Sequence, residues 1–242
     1  MYRILSCSKD TYITNKIINN KFRATDANVG QAGTLDLFKL YDESISGSDT
    51  APTELTRLMM KFDLTPLSKG MTEDIDINSS TFKCYLKLHD VYGGQTTPSN
   101  FKLIAFPLSR SFDEGIGRDI IRFSDIDTAN WITSSISNGT TSTWGTAGAR
   151  RSGSLGGEGL DVMVSGSLNG PDGTEIVSLS PEQKFPLGTE NFEVDVTKII
   201  SGVLSNQIPN NGFLVAYSGS YETDAKSYFV KRFASRHSTN TS

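Results

Sequence analysis

Alternation of apolar and polar residues with a period of two is the feature of this sequence that most constrains its fold. It is clearest over residues 81–91, where the two alternating sets are Phe82, Cys84, Leu86 and Leu88 against Lys83, Tyr85, Lys87 and His89. Residues 54–64 show the same pattern, with Leu58, Met60 and Phe62 on one face and Arg57, Lys61 and Asp63 on the other. Because successive side chains of a strand point to opposite faces, both segments are predicted to be strands.

Further strands are predicted at residues 11–18, 34–40, 161–165, 192–197, 212–218 and 228–235. Residues 101–108 are more uniformly apolar, which indicates a strand buried on both faces over part of its length. Residues 198–207 follow helical spacing instead, with Asp195 or Thr197 able to cap the first turn. Strand patterns outnumber helical ones, so we predict an all-β fold. The expected architecture is an antiparallel β-sandwich or jelly roll with one short helix and long loops.

The length and composition are those of one large β domain. The chain has 242 residues, of which 36% are apolar and 21% are charged, and we expect a single domain over residues 1–242. Ten glycines lie within residues 139–173. This composition is typical of a flexible linker or of a long loop. We favour a long loop with a short edge strand at 161–165, because regular strand patterns resume after it.

Charge and hydropathy exclude several kinds of partner. The net charge of −4 argues against a broad phosphate-binding face, so we expect no nucleic-acid partner. No apolar run approaches about 18 residues, which excludes a membrane-spanning helix. The first residues lack the pattern of a signal peptide, so we expect synthesis in the cytoplasm. Cys7 and Cys84 lie in strand-like segments, where a cysteine is more often a small buried hydrophobic residue than half of a disulfide.

The residue types that carry out catalysis do not form a recognisable set in this sequence. Of the two histidines, His89 lies in a strand pattern and His237 near the end, and neither has a cysteine or another histidine at metal-ligand spacing. The sequence lacks a Gly-x-Ser-x-Gly elbow. The glycines at 153–157 lack the Lys-Ser/Thr pair of a phosphate loop. We therefore expect that the protein is not an enzyme.

Acidic residues are concentrated around two glycines at residues 112–119. Asp113, Glu114 and Asp119 supply oxygen ligands at a density that suits Ca²⁺ in the loop of a sandwich. Their spacing is not that of a helix-flanked calcium loop, and a solvated turn with Asp–Arg pairing has the same composition. Both interpretations stay open, and calcium is the one cofactor that the sequence suggests.

Aromatic and basic residues provide the candidates for binding a partner. Tyr85 and Trp144 are candidate binding residues, because exposed aromatic rings stack on sugars or contact another subunit. Trp131 is expected to be packed in the interior. Arg232 and Arg236 are predicted to alternate onto one face of the last strand, where they contact a partner or form salt bridges.

The order of several segments resembles the DNRLRE-type β-sandwich, a domain also described as carbohydrate-binding-module-like. The matching segments are residues 10–13, 24–40, 58–64, 194–197 with the helix that follows, 211–214 and 228–236. Together they span about residues 10–237. The family usually adds one last strand, which implies that the polypeptide continues past Ser242.

Members of this family occur as appendages of secreted polysaccharide-processing enzymes and as structural proteins of tailed bacteriophages. Residues 109–131 and the run FVKRFASRH are similar to the phage versions. The resemblance therefore implies a virion protein (head decoration, neck or tail-associated) that forms a homo-oligomer and binds other virion proteins. The alternative is a non-catalytic polysaccharide-binding module. In the virion interpretation, the contact surfaces are expected at the loops 41–56, 111–127 and 139–173.

Overall fold

The computed structural model describes residues 3–41, 53–70, 76, 79–91, 97–170 and 172–239. The chain is mostly β, with 44% strand and 7% helix, in an antiparallel, sandwich-like arrangement, so the predicted fold class is confirmed. The strands are β1 Cys7–Thr14, β2 Ile17–Ile18, β3 Phe22–Arg23, β4 Thr34–Tyr41, β5 Thr53–Phe62, β6 Tyr85–Leu88, β7 Phe101–Pro107, β8 Thr133–Ser137, β9 Thr140–Thr143, β10 Ser152–Ser154, β11 Val162–Gly170, β12 Gly173–Ser178, β13 Glu182–Phe185, β14 Phe192–Asp195, β15 Phe213–Tyr217 and β16 Tyr228–Ala234.

The described residues contain three helices where one was predicted: α1 Thr65–Gly70, α2 Thr197–Leu204 and α3 Ser220–Thr223. Pro66 follows the end of β5 as expected, and it lies in the first turn of α1, where its fixed φ suits a helix. At the start of α2 the N-cap is Val196, and Asp195 accepts a hydrogen bond from the Thr197 amide at 2.8 Å. None of the helices in this part of the chain is long and apolar enough to cross a bilayer.

A curled seven-stranded sheet forms the centre of the molecule. Its strand order is β13–β7–β15–β5–β4–β16, with β1 paired to β5, and every pairing is antiparallel. The ribbon β6–β14 joins the two ends of this sheet. Asp90 bridges to Phe233 of β16, and Gln183 of β13 accepts a hydrogen bond from the Glu193 amide of β14. The end strands are thereby brought toward one another.

One face of the sheet packs against the larger hydrophobic core. Leu58 and Met60 of β5 contribute to it, and α2 covers it with Ile199 and Ile200. Aromatic rings fill its centre: Phe101 stacks on Phe185 with a centroid distance of 4.9 Å, and Phe185 lies 6.3 Å from Phe192. The predicted inward face of β5 is therefore the face that the core buries.

The opposite face of the same sheet is buried as well. Residues 108–162 cover it, and this second core contains Ile13, Leu55, Met59, Leu108, Phe112, Trp131, Trp144, Val162 and Leu214. Residues 54–60 of β5 are consequently all buried. Arg57 points to the face opposite that of Leu58 and Met60, as the alternation predicts, but residues 108–162 bury it on that face. Trp131 is packed inside, as expected, with 7% of its surface exposed.

Strands make up about half of residues 139–173, so the prediction of one long loop there is wrong. β8 and β9 form a hairpin, while β10, β11 and β12 form a second sheet in which β11 is central, not an edge strand. The glycines mark turns within this region: Gly139 and Gly173 have φ of +77° and +111°, which residues with a side chain rarely adopt. Two other predictions change in extent. The strand expected at 81–91 is confined to β6, and 11–18 divides into β1 and β2.

Two remaining sequence predictions concern the first contact loop and the cysteines. Of the expected contact loop 41–56, residues 42–52 lie outside the described residues, and 53–56 belong to β5. Cys7 and Cys84 are both free thiols with intermediate exposure. Burial raises the pKa of the Cys7 thiol to about 12, with the nearby Asp10 carboxylate adding to the shift. Both cysteines therefore act as packing residues.

Candidate interaction surface

Residues 112–132, which we call the platform loop, are fixed to the protein by one buried amide side chain. Asn28 is fully buried, and its Nδ2 donates to the carbonyl oxygens of Glu114 at 2.9 Å and Ala129 at 3.0 Å. Its Oδ1 accepts from the Gly117 amide at 2.8 Å. One side chain thus holds both ends of the loop, because it can donate twice and accept as well.

Backbone hydrogen bonds between residues 25–31 and the platform loop reinforce this attachment. The Gln31 amide donates to the Gly117 carbonyl (2.8 Å), and the Asn28 amide donates to the Phe123 carbonyl (2.8 Å). The Asp125 amide donates to the Asp26 carbonyl (2.7 Å), and the Trp131 amide donates to the Thr25 carbonyl (3.1 Å). The loop is therefore ordered by contacts along its whole length. A partner that binds it meets a surface that is already formed, which lowers the entropic cost of association.

Gly117→Ala is expected to destabilise this attachment by about 1–3 kcal/mol, because overpacking forces the backbone to shift. A Cβ at Gly117 would lie 1.9 Å from the backbone oxygen of Asn28. Gly33→Ala is the matched control, since a Cβ there meets nothing within 4 Å. Urea unfolding of the two variants measures the difference. Equal stability of both variants would contradict the close approach of the loop to Asn28.

The platform loop exposes four large apolar side chains, which together we call the isoleucine surface. The exposed fractions are 76% for Ile116, 67% for Ile121, 65% for Ile126 and 47% for Ile132. Ile120, in contrast, packs inward against the cluster of Ile18, Ala24 and Ala27. Exposed charged residues lie between them in the sequence: Arg118, Arg122 and Asp127. Apolar side chains with polar neighbours are the composition expected at a protein–protein contact.

A cluster of charged side chains fixes the start of the platform loop to β1 and to the residues after β16. The Nε and Nη2 atoms of Arg236 each lie 2.6 Å from an oxygen of Glu114. Glu114 Oε1 also accepts from the Asp10 amide at 2.9 Å, and Asp10 Oδ2 accepts from the Arg236 amide at 2.6 Å. His237 Nε2 lies 3.5 Å from Glu114 Oε1. Two of the residues selected from the sequence, Glu114 and Arg236, are thus direct partners.

The surroundings of this cluster shift the pKa values of its members in different directions. Burial raises the pKa of Asp10, and the adjacent Glu114 carboxylate adds to the shift. Partial burial opposes ionisation of Glu114, but hydrogen bonds from Arg236 and from the Asp10 amide prevail and lower its pKa. The hydrogen bond to Glu114 raises the pKa of Arg236. The Glu114–Arg236 pair is therefore ionised, and charge-assisted bidentate bonds of this kind are strong.

The other predicted binding residues have different surroundings. Trp144 is only 4% exposed, and its Nε1 donates to the Asn130 carbonyl at 2.9 Å, so its ring does not offer a surface for stacking. The ring of Trp144 is part of the second core, and the sequence alone did not indicate this burial. Tyr85 is 51% exposed on β6. Arg232 forms a salt bridge with Asp36, with Nε and Oδ2 3.3 Å apart.

The three predicted calcium ligands do not converge. Asp113 Oδ2 accepts from the Ile136 amide at 2.8 Å, and Asp119 Oδ1 accepts from the amides of the second and third residues after it, both at 2.8 Å. Asp119 therefore stabilises a local turn, as the turn interpretation of this composition expects, whereas Asp113 holds the backbone of β8, 23 residues away. Among the described residues, one group of three His, Cys, Asp or Glu side chains brings its donor atoms within 4.8 Å of one another: Asp10, Glu114 and His237.

Sequence reasoning missed three buried cations. Each has an acidic partner far away in the chain: Lys39 pairs with Asp224, Arg57 with Glu222, and Lys231 with Asp90. The burial of the two lysines could have been recognised from the sequence, because each occupies a position of its strand pattern whose side chain points into the core. Lys39 follows Leu35 and Leu37 at a spacing of two, and Lys231 precedes Phe233 at the same spacing. A charged side chain that points into the core requires a buried partner.

The isoleucine surface and the charged cluster belong to one region. Glu114 lies near the start of the platform loop, and Ile116 follows two residues later as the first exposed isoleucine. The chain matches no protein-family model and no curated protein.

Proposed function

We propose that the protein is a structural component of a tailed-bacteriophage virion (a head decoration, neck or tail-associated protein) that acts by binding other virion proteins. The observation that carries the proposal is the isoleucine surface, four exposed apolar side chains on a loop whose backbone is hydrogen-bonded to the protein body. Contiguous exposed apolar patches mark sites of protein contact, and the four isoleucines of the platform loop are the candidate for such a patch. The assignment to a virion is supported by the ordered segments that resemble the phage forms of the DNRLRE-type sandwich.

The same surface fits a protein that works in several symmetric copies. A preformed apolar surface loses little conformational freedom on binding. In a symmetric particle, each copy repeats the contact, so that individually weak interfaces produce firm attachment. We therefore expect the isolated chain to form a homo-oligomer through the platform loop.

Replacing Ile121 and Ile126 together by lysine is expected to weaken this oligomer by at least about a hundredfold. Burying one isoleucine side chain contributes about 1.5–3 kcal/mol, so two losses exceed the roughly 2.8 kcal/mol that a hundredfold change represents. Size-exclusion chromatography with light scattering over a range of protein concentrations measures the change in the dissociation constant. Both side chains are mostly exposed in the single chain, so the secondary structure measured by circular dichroism is expected to stay unchanged.

Ile176→Lys provides the matched control for this experiment. Ile176 is 87% exposed on β12 and lies outside the platform loop. The Ile176→Lys substitution is expected to leave the dissociation constant of the oligomer unchanged. A wild-type chain that stays monomeric, or an oligomer that both variants weaken equally, would contradict a role for the platform loop in assembly.

The alternative, a non-catalytic polysaccharide-binding module, is favoured by one observation. Tyr85 is 51% exposed, and across the β6–β14 ribbon it is paired with Asp195, while Lys87 is paired with Glu193. An exposed aromatic ring surrounded by charged groups suits an acidic or neutral sugar. The same chromatography in the presence of acidic polysaccharides distinguishes the two functions. A monomer whose elution shifts with one glycan, and whose Tyr85→Ala variant no longer shifts, supports the module.

A further inference from the structure

We propose that Asp10, Glu114 and His237 bind one divalent transition-metal ion. The three residues come from separate parts of the chain: β1, the platform loop and the segment after β16. One donor atom from each lies within 4.8 Å of the other two. Zinc–ligand distances for nitrogen and oxygen are about 2.0–2.2 Å, so small side-chain adjustments bring all three donors to one ion. The site is independent of the proposed virion function.

Burial and an unsatisfied nitrogen both point to a ligand at this position. Asp10 is 3% exposed, and the side chains of Glu114 and His237 are 12% and 23% exposed. His237 Nε2 is inaccessible to solvent and lacks a hydrogen-bond partner, although Glu114 Oε1 is 3.5 Å away. Buried polar atoms without a partner are rare and require an explanation, and a bound ion is a recognised one. Metal coordination gives this nitrogen its partner.

The chemistry of the donors selects the class of metal. One imidazole nitrogen with two carboxylate oxygens suits Zn²⁺, Mn²⁺ or Fe²⁺. Ca²⁺ takes oxygen ligands and does not use imidazole. The two carboxylates outnumber the single Arg236 guanidinium, which leaves an excess of negative charge beside His237. That excess attracts a cation.

Arg236 supports the site without being a ligand. Its guanidinium bonds to both oxygens of Glu114. Glu114 Oε1 already accepts from Arg236 Nε and from the Asp10 amide, whereas Oε2 accepts from Arg236 Nη2 and keeps a second lone pair with which to coordinate a metal. Outer hydrogen bonds to a ligating carboxylate are usual at metal sites, where they orient the ligand. A bound ion would thus cross-link β1, the platform loop and the segment after β16.

Zinc titration of the full chain, stripped of metal by a chelator, tests the proposal. The chain has only two histidines, so their ring nitrogens are resolved in a long-range nitrogen–proton NMR spectrum. One equivalent of Zn²⁺ is expected to shift the Nε2 resonance of His237 and to leave the resonances of His89 unchanged. In isothermal titration calorimetry, His237→Ala is expected to lower the affinity about tenfold or more, and His89→Ala to leave it unchanged.

Three results overturn the proposal. They are no shift of the His237 resonance with Zn²⁺, an affinity of His237→Ala within tenfold of that of His89→Ala, and a binding heat with Ca²⁺ equal to that with Zn²⁺. The NMR measurement uses the unmodified chain, so a folding defect in His237→Ala does not obscure it. Metal binding is measured on the isolated chain, and its outcome does not depend on whether the isoleucine surface drives assembly.

Discussion

Replacing Asp90 by asparagine is expected to lower the free energy of unfolding by about 3–5 kcal/mol, the usual cost of removing one partner of a buried ion pair. The ammonium group of Lys231 has 0% side-chain exposure, and its partner Asp90 has 11%. Lys231 lies between the rings of Phe185 and Phe233, with its Nζ 5.4 Å and 5.0 Å from their centroids. Asparagine preserves the shape of the acid but removes the counter-charge of Lys231, whose ammonium keeps only its hydrogen bonds to the Gly188 and Glu190 carbonyls and to the asparagine itself. Urea unfolding followed by circular dichroism measures the loss.

Two further variants show whether the buried charge causes this loss. Glu175→Gln removes one partner of the exposed pair with Lys198, whose side chains are 51% and 62% exposed, and a change of less than about 1 kcal/mol is expected. Combining Asp90→Asn with Lys231→Met removes the unpaired cation and is expected to recover part of the stability. If Asp90→Asn and Glu175→Gln have equal effects, the Lys231 site is hydrated and not the buried environment described above.

Trp144→Ala is also expected to cost about 3–5 kcal/mol, the range for truncating a large buried aromatic side chain. Trp144 belongs to the second core, together with Trp131, Met59 and Ile13, where residues 108–162 cover the sheet. Its truncation leaves a cavity at this contact and removes the hydrogen bond from Nε1 to the Asn130 carbonyl. Thermal and urea unfolding of the variant measure the loss.

Tyr85→Ala is the control for the tryptophan, because it truncates an aromatic ring that is 51% exposed. A change within about 0.5 kcal/mol is expected there. If Trp144 were a surface residue that stacks on a ligand, its replacement would have an equally small effect on stability. Stability data alone therefore separate a packing role for Trp144 from a binding role.

Strands with regularly spaced apolar residues were predictable from the sequence. β4, β5, β7, β14, β15 and β16 all lie within a few residues of their expected positions, and so does α2. The hairpin β8–β9 and strand β10 were not predictable in this way. Their sequences, TSSIS, TTST and SGS, are rich in serine and threonine and carry no apolar alternation. Glycine marks a tight turn as readily as a long loop, so composition alone could not separate the two.

Two residues of the charged cluster were predictable from the sequence, but their assembly and the rest of the candidate site were not. Glu114 and Arg236 were each selected from local sequence, yet they are 122 residues apart, and their contact depends on how the strands are ordered. Asp10 was not selected, because it precedes the strand predicted at 11–18 and carries no local sign of burial, although it lies within β1. The sequence likewise did not indicate that the four isoleucines are exposed, since an apolar residue in a loop is expected to pack inward as Ile120 does.

The buried ion pairs have a consequence for how this protein changes during evolution. Lys39 and Asp224 are 185 residues apart, and Arg57 and Glu222 are 165 residues apart, yet neither member of a pair can change alone without leaving a buried charge. Substitutions at such positions are expected to be tolerated only as paired exchanges, for example to two apolar residues. Relatives that share this architecture would thus be recognised by correlated changes between distant positions, even where no continuous motif survives.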